Sequence, residues 1–276
     1  MDSRHRLAIP RSLVFVALSL GMGLWACSSA STSEPIASTG SAVSTTPYVA
    51  LRFAQAEQTS ATPPTQNLTA SGLIEVSNDA YEKQVVVHYQ GPNGWVDSSA
   101  TYAGPATTAG HELWSFTTGA YPYLPEYSGE AIYFAVEYTV DGTTTWDNNG
   151  GANYVVGIQG GDGVAEVPVA LGQDKLKVAD YSLTPSAMGV TLGGHVVLKN
   201  LAYQKVVTVV ESSDDWATQV SVPASYEASD AGGLETWSFS KALPAGVTSA
   251  QFAVIYEVDG ATYSDNNLGA NYSANL

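Results

Sequence analysis

Cysteine occurs once in this chain, at Cys27, so no disulfide can close within it and each domain must be held by its apolar core. Positive charge is scarce, with 10 Lys and Arg against 26 Asp and Glu. Residues 1–26 carry Arg4, Arg6, Arg11 and Asp2, and without them 7 basic residues face 25 acidic ones, a net charge of −18. Such a surface repels nucleic acid and anionic membrane, which leaves a neutral partner as the better fit. Long apolar runs are missing apart from 13–26, which is too short to span a bilayer. No long helical periodicity is present, and charged residues make up only 13% of the chain, whereas Val, Thr, Tyr and Gly are plentiful. That mixture favours half-buried strands joined by turns, an all-β chain.

The apolar run follows three arginines, the form of a signal peptide over 1–26. It ends in Leu24-Trp25-Ala26-Cys27, which resembles the lipobox of bacterial lipoproteins; the plainer alternative is an ordinary signal peptide beside a chance cysteine. The resemblance implies lipidation at Cys27, export to the cell envelope, and contact with the bilayer through that anchor only. Ser28 after the cysteine is similar to lipoproteins sent to the outer membrane. Residues 27–46, rich in Ser, Thr, Ala and Pro, read as a flexible tether.

Beyond the tether the chain repeats itself. Residues 134–154 and 252–272 agree at fifteen of 21 positions, and three shorter matches keep the same order. These are Asn78-x-Ala80-Tyr81-x-Lys83 with Asn200-x-Ala202-Tyr203-x-Lys205, Trp95 with Trp216, and Trp114-Ser115-Phe116 with Trp237-Ser238-Phe239. The expected organisation is therefore two copies, at 47–156 and 167–276, separated by a glycine-rich linker at 157–166. Within each copy Phe134, Val136, Tyr138 and Val140, or Phe252, Val254, Tyr256 and Val258, alternate onto one face of a strand. Asp141-Gly142 and Asp259-Gly260 then signal two-residue hairpins, because both turn positions want positive φ. Further strands are expected near 74–76, 85–89, 195–198 and 206–210, the spacing of a β-sandwich.

A pyranose has an apolar face of C–H bonds and a rim of hydroxyls, so a sugar site needs a flat aromatic platform beside fixed amides or carboxylates. Trp146-Asp147-Asn148-Asn149 followed by Asn153-Tyr154 supplies both within one loop. The plainer reading is that Asp and Asn make turns there.

Taken together, these motifs resemble the starch-binding carbohydrate-binding modules of family 21, related to the glycogen-targeting regions of type-1 protein phosphatase regulatory subunits. The resemblance covers nearly all of the mature chain. It implies two immunoglobulin-like antiparallel β-sandwiches in tandem, up to two α-glucan sites in each, no cofactor, no metal and no catalysis. One family site would use Trp95 and Trp146 as platforms with Asn148 and Asn153 as polar partners; Ala135 stands where a third aromatic is frequent. Its second copy would use Trp216, Asn266 and Asn271, but Ser264 replaces the platform aromatic and Ala253 repeats the other loss, so a weaker site is expected there. The other family site would draw on Asn78, Tyr81, Lys83 and Tyr102, and in the second copy on Asn200, Tyr203, Lys205 and Tyr226.

Each residue has a structural alternative. Trp95 and Trp216 could be buried sandwich tryptophans, although Gly, Asn and Asp neighbours favour exposure. Tyr81 and Tyr203 fit a core as well as a site, and Asn153 and Asn271 fit a loop brace as well as sugar contact. Trp114 and Trp237 are assigned to the core. An enzyme is disfavoured, since each repeat keeps one motif acid, Asp147 or Asp265, and His88, His111 and His195 lack counterparts in the other copy. Calcium fits poorly because the consecutive oxygen donors lack the alternation of a calcium loop. A structural or adhesive β-sandwich without sugar affinity is the remaining rival.

Overall fold

The computed structural model describes residues 46–59, 66–91, 93–123, 131–157, 167–187 and 189–276. The expected signal peptide, Cys27 and all but the last residue of the expected tether lie outside the described residues, as do 158–166 of the expected linker. Among the described residues there are strands and two short 3-10 turns but no α-helix.

The first copy is a sandwich of two antiparallel sheets. One contains β1 (Val49–Thr59), β2 (Gln66–Ser77), β5 (Thr101–Pro105), β6 (His111–Thr117) and the short β7 (Tyr121–Tyr123). The other is built on β8 (Ala131–Val140), which pairs along one edge with β3 (Lys83–Gly91) and along the other with β9 (Thr143–Asp147) and β10 (Tyr154–Gly157); β4 (Gly94–Ser99) extends it beyond β3. Phe134, Val136, Tyr138 and Val140 all point into the core, as their alternation predicts, against Leu51, Ile74 and Phe116 of the facing sheet. The β8–β9 hairpin turns through Asp141 at φ 47° and Gly142 at φ 73°, the paired positive angles that its Asp-Gly sequence requires.

The second copy repeats the plan. One sheet runs in the order β12 (Leu176–Ser186), β13 (Gly189–Lys199), β17 (Leu234–Pro244), β16 (Ser225–Ser229). The other joins β15 (Val220–Pro223), β14 (Lys205–Ser212), β18 (Ser249–Val258) and β19 (Ala261–Asp265), with β20 (Tyr272–Asn275) also on β18. Phe252, Val254, Tyr256 and Val258 are buried in turn, and Asp259 and Gly260 turn at φ 49° and 74°.

The joint between the copies differs from a free linker at both described ends. Gly157 closes β10 and donates its N–H to Val167 O, and β11 (Val169–Leu171) adds to the first copy's sheet by pairing antiparallel with β1. The chain then passes so close to β1 that a Cβ on Gly172 would meet Leu51 O at 1.9 Å, which explains a glycine there. Val169 and Leu171 pack with Phe53 of the first copy and Ala179, Val197 and Leu234 of the second into a small separate core. Arg52 bonds both Asp174 across the joint and Glu75 in its own sheet, while the Gln55 amide donates to Val178 O. Residues 45–276 accordingly form one compact unit.

Candidate functional site

In both copies the Asp-Asn-Asn loop is built by local hydrogen bonds. Asp147 ends β9 and accepts the Leu51 N–H at 2.7 Å, the Asn149 N–H at 3.3 Å and the Tyr154 hydroxyl at 2.9 Å, so it ties the loop to β1 and β10. Burial, and next the neighbouring Asp147 charge, push the Tyr154 phenol well above its ordinary pKa, so it stays a donor. Asn148 caps the 3-10 turn by accepting the Gly151 N–H through Oδ1. Asn149 and Asn153 take positive φ of 53° and 60°, tolerable for asparagine, and Asn149 Nδ2 donates to Asn153 O. Asp265, Asn266, Asn267 and Asn271 repeat each of these roles. The duplicated motif is thus explained by loop construction. Its carboxylate and first amide oxygen already receive protein donors, which leaves them poor metal ligands.

What the loop presents outward differs between the copies. In the first, Trp146 is 47% exposed and Trp95, on β4, is 44% exposed. His88 on β3 lies between them, stacked on Trp95 with centroids 5.0 Å apart and planes 12° off parallel, and edge-on to Trp146 at 6.1 Å. Asp97 fixes the imidazole, 2.6 Å from Nδ1. These three rings, Ala135, Asn148 and Asn153 line one open depression. Asn148 Nδ2 and the Asn153 side-chain amide have no hydrogen-bond partner among the described residues, so both residues bring unspent polar groups to its lining. Asn148 therefore does what was left open for Asn153, bracing the loop through its oxygen while its NH2 stays available. His88 was discounted for lacking a counterpart, yet it supplies the middle ring; its signal was alternation with Val86 and Gln90 on the outward face of β3. Tyr133, exposed on the same face of β8 two residues before Ala135, was also missed.

In the second copy Val210 replaces His88, Gln251 replaces Tyr133 and Ser264 replaces Trp146, each read from the strand pairing. Trp216 is half-buried at φ 66°, its indole N–H donated to Gln251 Oε1 at 2.7 Å. Asn266 spends its Oδ1 on Gly269 N–H, and Asn271 is half-buried. No multi-ring surface is assembled from these residues.

A second cluster is the same in both copies. Lys83 is only 4% exposed at its side chain, with its ammonium donated to Asn78 Oδ1 and to Glu112 at 2.8 Å. Trp114 donates its indole N–H to the same Glu112, and Tyr102 meets Trp114 edge-on at 6.1 Å. Tyr138 donates to Ser77 O at 2.6 Å, pinning the turn beside Asn78; burial, with the Asp79 charge second, pushes its phenol up to about 12. Lys205, Asn200, Glu235, Trp237, Tyr226 and Tyr256 reproduce the arrangement. Tyr81 and Tyr203 are 99% and 97% exposed, which removes the core reading for both. Lys83 and Lys205 are instead buried braces, and Trp114 and Trp237 are half-buried, packing on the core with an edge turned to Glu and Tyr. Glu112 and Glu235 escaped notice, although each lies two residues before its tryptophan on one face. Among the described residues no group of three or more His, Cys, Asp or Glu is placed to hold a metal ion.

The model of carbohydrate/starch-binding module family 21 matches residues 52–157 and again 171–275, together about three quarters of the chain. Glucoamylase 1 of Rhizopus oryzae is 42% identical over 88 residues, 30% of this chain and 14% of that protein. Protein phosphatase 1 regulatory subunit 3C of Xenopus tropicalis is 34% identical over 90 residues, 32% of this chain and 40% of that one. The chain thus spans well under two thirds of these relatives. Among solved structures, the starch-binding domain of Rhizopus oryzae glucoamylase in complex with β-cyclodextrin and maltoheptaose is 33% identical, with 38% of this chain and 95% of that one covered and a TM-score of 0.31.

Proposed function

Because the chain belongs to carbohydrate/starch-binding module family 21, we propose that it is a non-catalytic α-glucan-binding protein whose principal site is the first copy's depression between Trp95 and Trp146. One observation carries this reading: three rings and two unspent side-chain amides converge on solvent, the pairing of apolar face and polar rim that a pyranose presents in reverse. Tyr81 with Tyr102, and Tyr203 with Tyr226, supply subsidiary contacts beside their Lys-Asn-Glu braces. The partner is starch, glycogen or a maltooligosaccharide, a neutral ligand suited to a strongly acidic protein. The relatives support the same choice, since one is a glucoamylase and others are phosphatase regulatory subunits.

The proposal includes export and anchoring in the outer membrane by lipid on Cys27, which rests on residues 1–28 alone. Retention of the exported chain on starch, glycogen, cellulose and chitin tests the ligand class. Binding to the two α-glucans with none to the β-linked polymers is the expected result, and no reducing ends should be released from starch during the assay. Equal retention on all four, or on none, overturns the reading.

A further inference from the structure

The second copy's Asp-Asn-Asn loop borders the first copy. Ser264, Asn266 and Leu268 face Arg52, Pro105 and Leu113 of the first copy across a cleft of about 580 Å³, inside the range of roughly 300–1,000 Å³ found for small-molecule sites. We propose that this cleft between the copies is a composite glucan subsite, which takes a segment of a maltooligosaccharide and rests on the α-glucan reading above.

Three features argue for it. Leu268 is 66% exposed and sits at φ 57°, where the first copy has Gly150 at φ 66°. A side chain is disfavoured in that left-handed conformation and an apolar one gains nothing from water, so a leucine there suits a wall that meets the C–H face of a sugar. Pro105, Leu113 and the half-buried Tyr263 continue the apolar lining.

The polar lining suits hydroxyls and a neutral ligand. Among the described residues Asn266 Nδ2 has no hydrogen-bond partner, since only its Oδ1 is used by the loop, and the exposed Gln173 amide has none either. Most formal charges there are already neutralised: Arg52 by Asp174 and Glu75, and Lys177 by Asp265 at 3.7 Å. Lys175 is the one cation of the lining without an ion pair among the described residues.

The walls are also fixed with respect to one another. β11 on β1, the Phe53–Leu171–Val197 core and the Lys177 ammonium 4.2 Å over the Phe53 ring hold the copies together, so a ligand need not close the cleft on itself.

Maltoheptaose titrated into the full exported chain, followed by methyl and indole NMR, tests the proposal. The Leu268 methyl signals, identified by their loss in Leu268→Gly, should shift along with the Trp146 indole. They should still shift in a Trp95→Ala/Trp146→Ala background, and Leu268→Gly should weaken the remaining binding there about tenfold through lost apolar contact. Thermal unfolding of Leu268→Gly checks that the fold survives; glycine is at ease at this φ, so no destabilisation is expected. If the Trp146 indole shifts while the Leu268 methyls stay fixed at saturation, the composite subsite is wrong and the principal site stands. If neither moves, both readings fall together.

Discussion

Asp147 and Asp265 do the same structural work in different surroundings, so their replacement by alanine gives a graded prediction. In Asp147→Ala the Leu51 N–H, which is fully buried, and the Tyr154 hydroxyl lose their acceptor. Leaving a buried donor unsatisfied costs about 1–3 kcal/mol, so the two together should cost about 2–6 kcal/mol. For a compact unit of residues 45–276 about 1 kcal/mol lowers the melting temperature by about 2–4 °C, so the variant should melt at least about 4 °C earlier. Asp265→Ala removes the equivalent bonds to Val178 and Tyr272, and in addition takes away the carboxylate partner of Lys177, leaving its ammonium the Tyr272 hydroxyl at 2.7 Å and the Phe53 ring. That lysine is 5% exposed, and burial already lowers its pKa despite the compensating Asp265 charge. Removing one partner of a buried ion pair costs about 3–5 kcal/mol, so the second variant should be the less stable of the two. Calorimetric and urea unfolding of both variants measure the order. A loss below about 1 kcal/mol in Asp147→Ala, or an Asp265→Ala protein as stable as Asp147→Ala, refutes the anchoring argument.

Two further outcomes are expected. Glu211 is 1% exposed with Oε1 lacking a hydrogen-bond partner among the described residues, and burial raises its pKa, so the folded state holds the proton more tightly than the unfolded one. Its contribution is then fully present below the ordinary carboxylate range and is lost as pH rises through the raised value; Glu211→Gln should flatten the fall in stability toward neutral pH, and an unchanged pH profile would count against it. Cys27→Ser should move the protein from the membrane fraction to the soluble one, whereas retention in the membrane would sink the lipid-anchor proposal.

The β-sandwich architecture was legible because its signals are local. Alternation along 134–140 and 252–258 and the two Asp-Gly turns fix strand, face and hairpin without reference to distant residues. The duplicated loop was legible as a motif but not as a mechanism. Asp147 is defined by a bond to Leu51, 96 positions away, which no spacing rule reveals. His88 was lost to the expectation that a site recurs in both copies; its role arises only when β3 lies between the strands that carry Trp95 and Trp146. Lys83 looked like a ligand and proves to be a buried brace, because its partner Glu112 comes from the facing sheet. The joint was hidden for the same reason: β11 reads as part of the second copy and hydrogen-bonds to the first.

The most direct test of the central claim is the affinity of the full chain for soluble maltoheptaose, measured by calorimetry with and without Trp146→Ala. Trp146 is exposed and no hydrogen bond holds its indole among the described residues, so alanine there should leave the fold intact. Loss of one stacked ring should cost about 1–3 kcal/mol, a weakening of about five- to more than a hundredfold at the principal site. A Trp146→Ala protein that binds maltoheptaose like the parent would contradict the account.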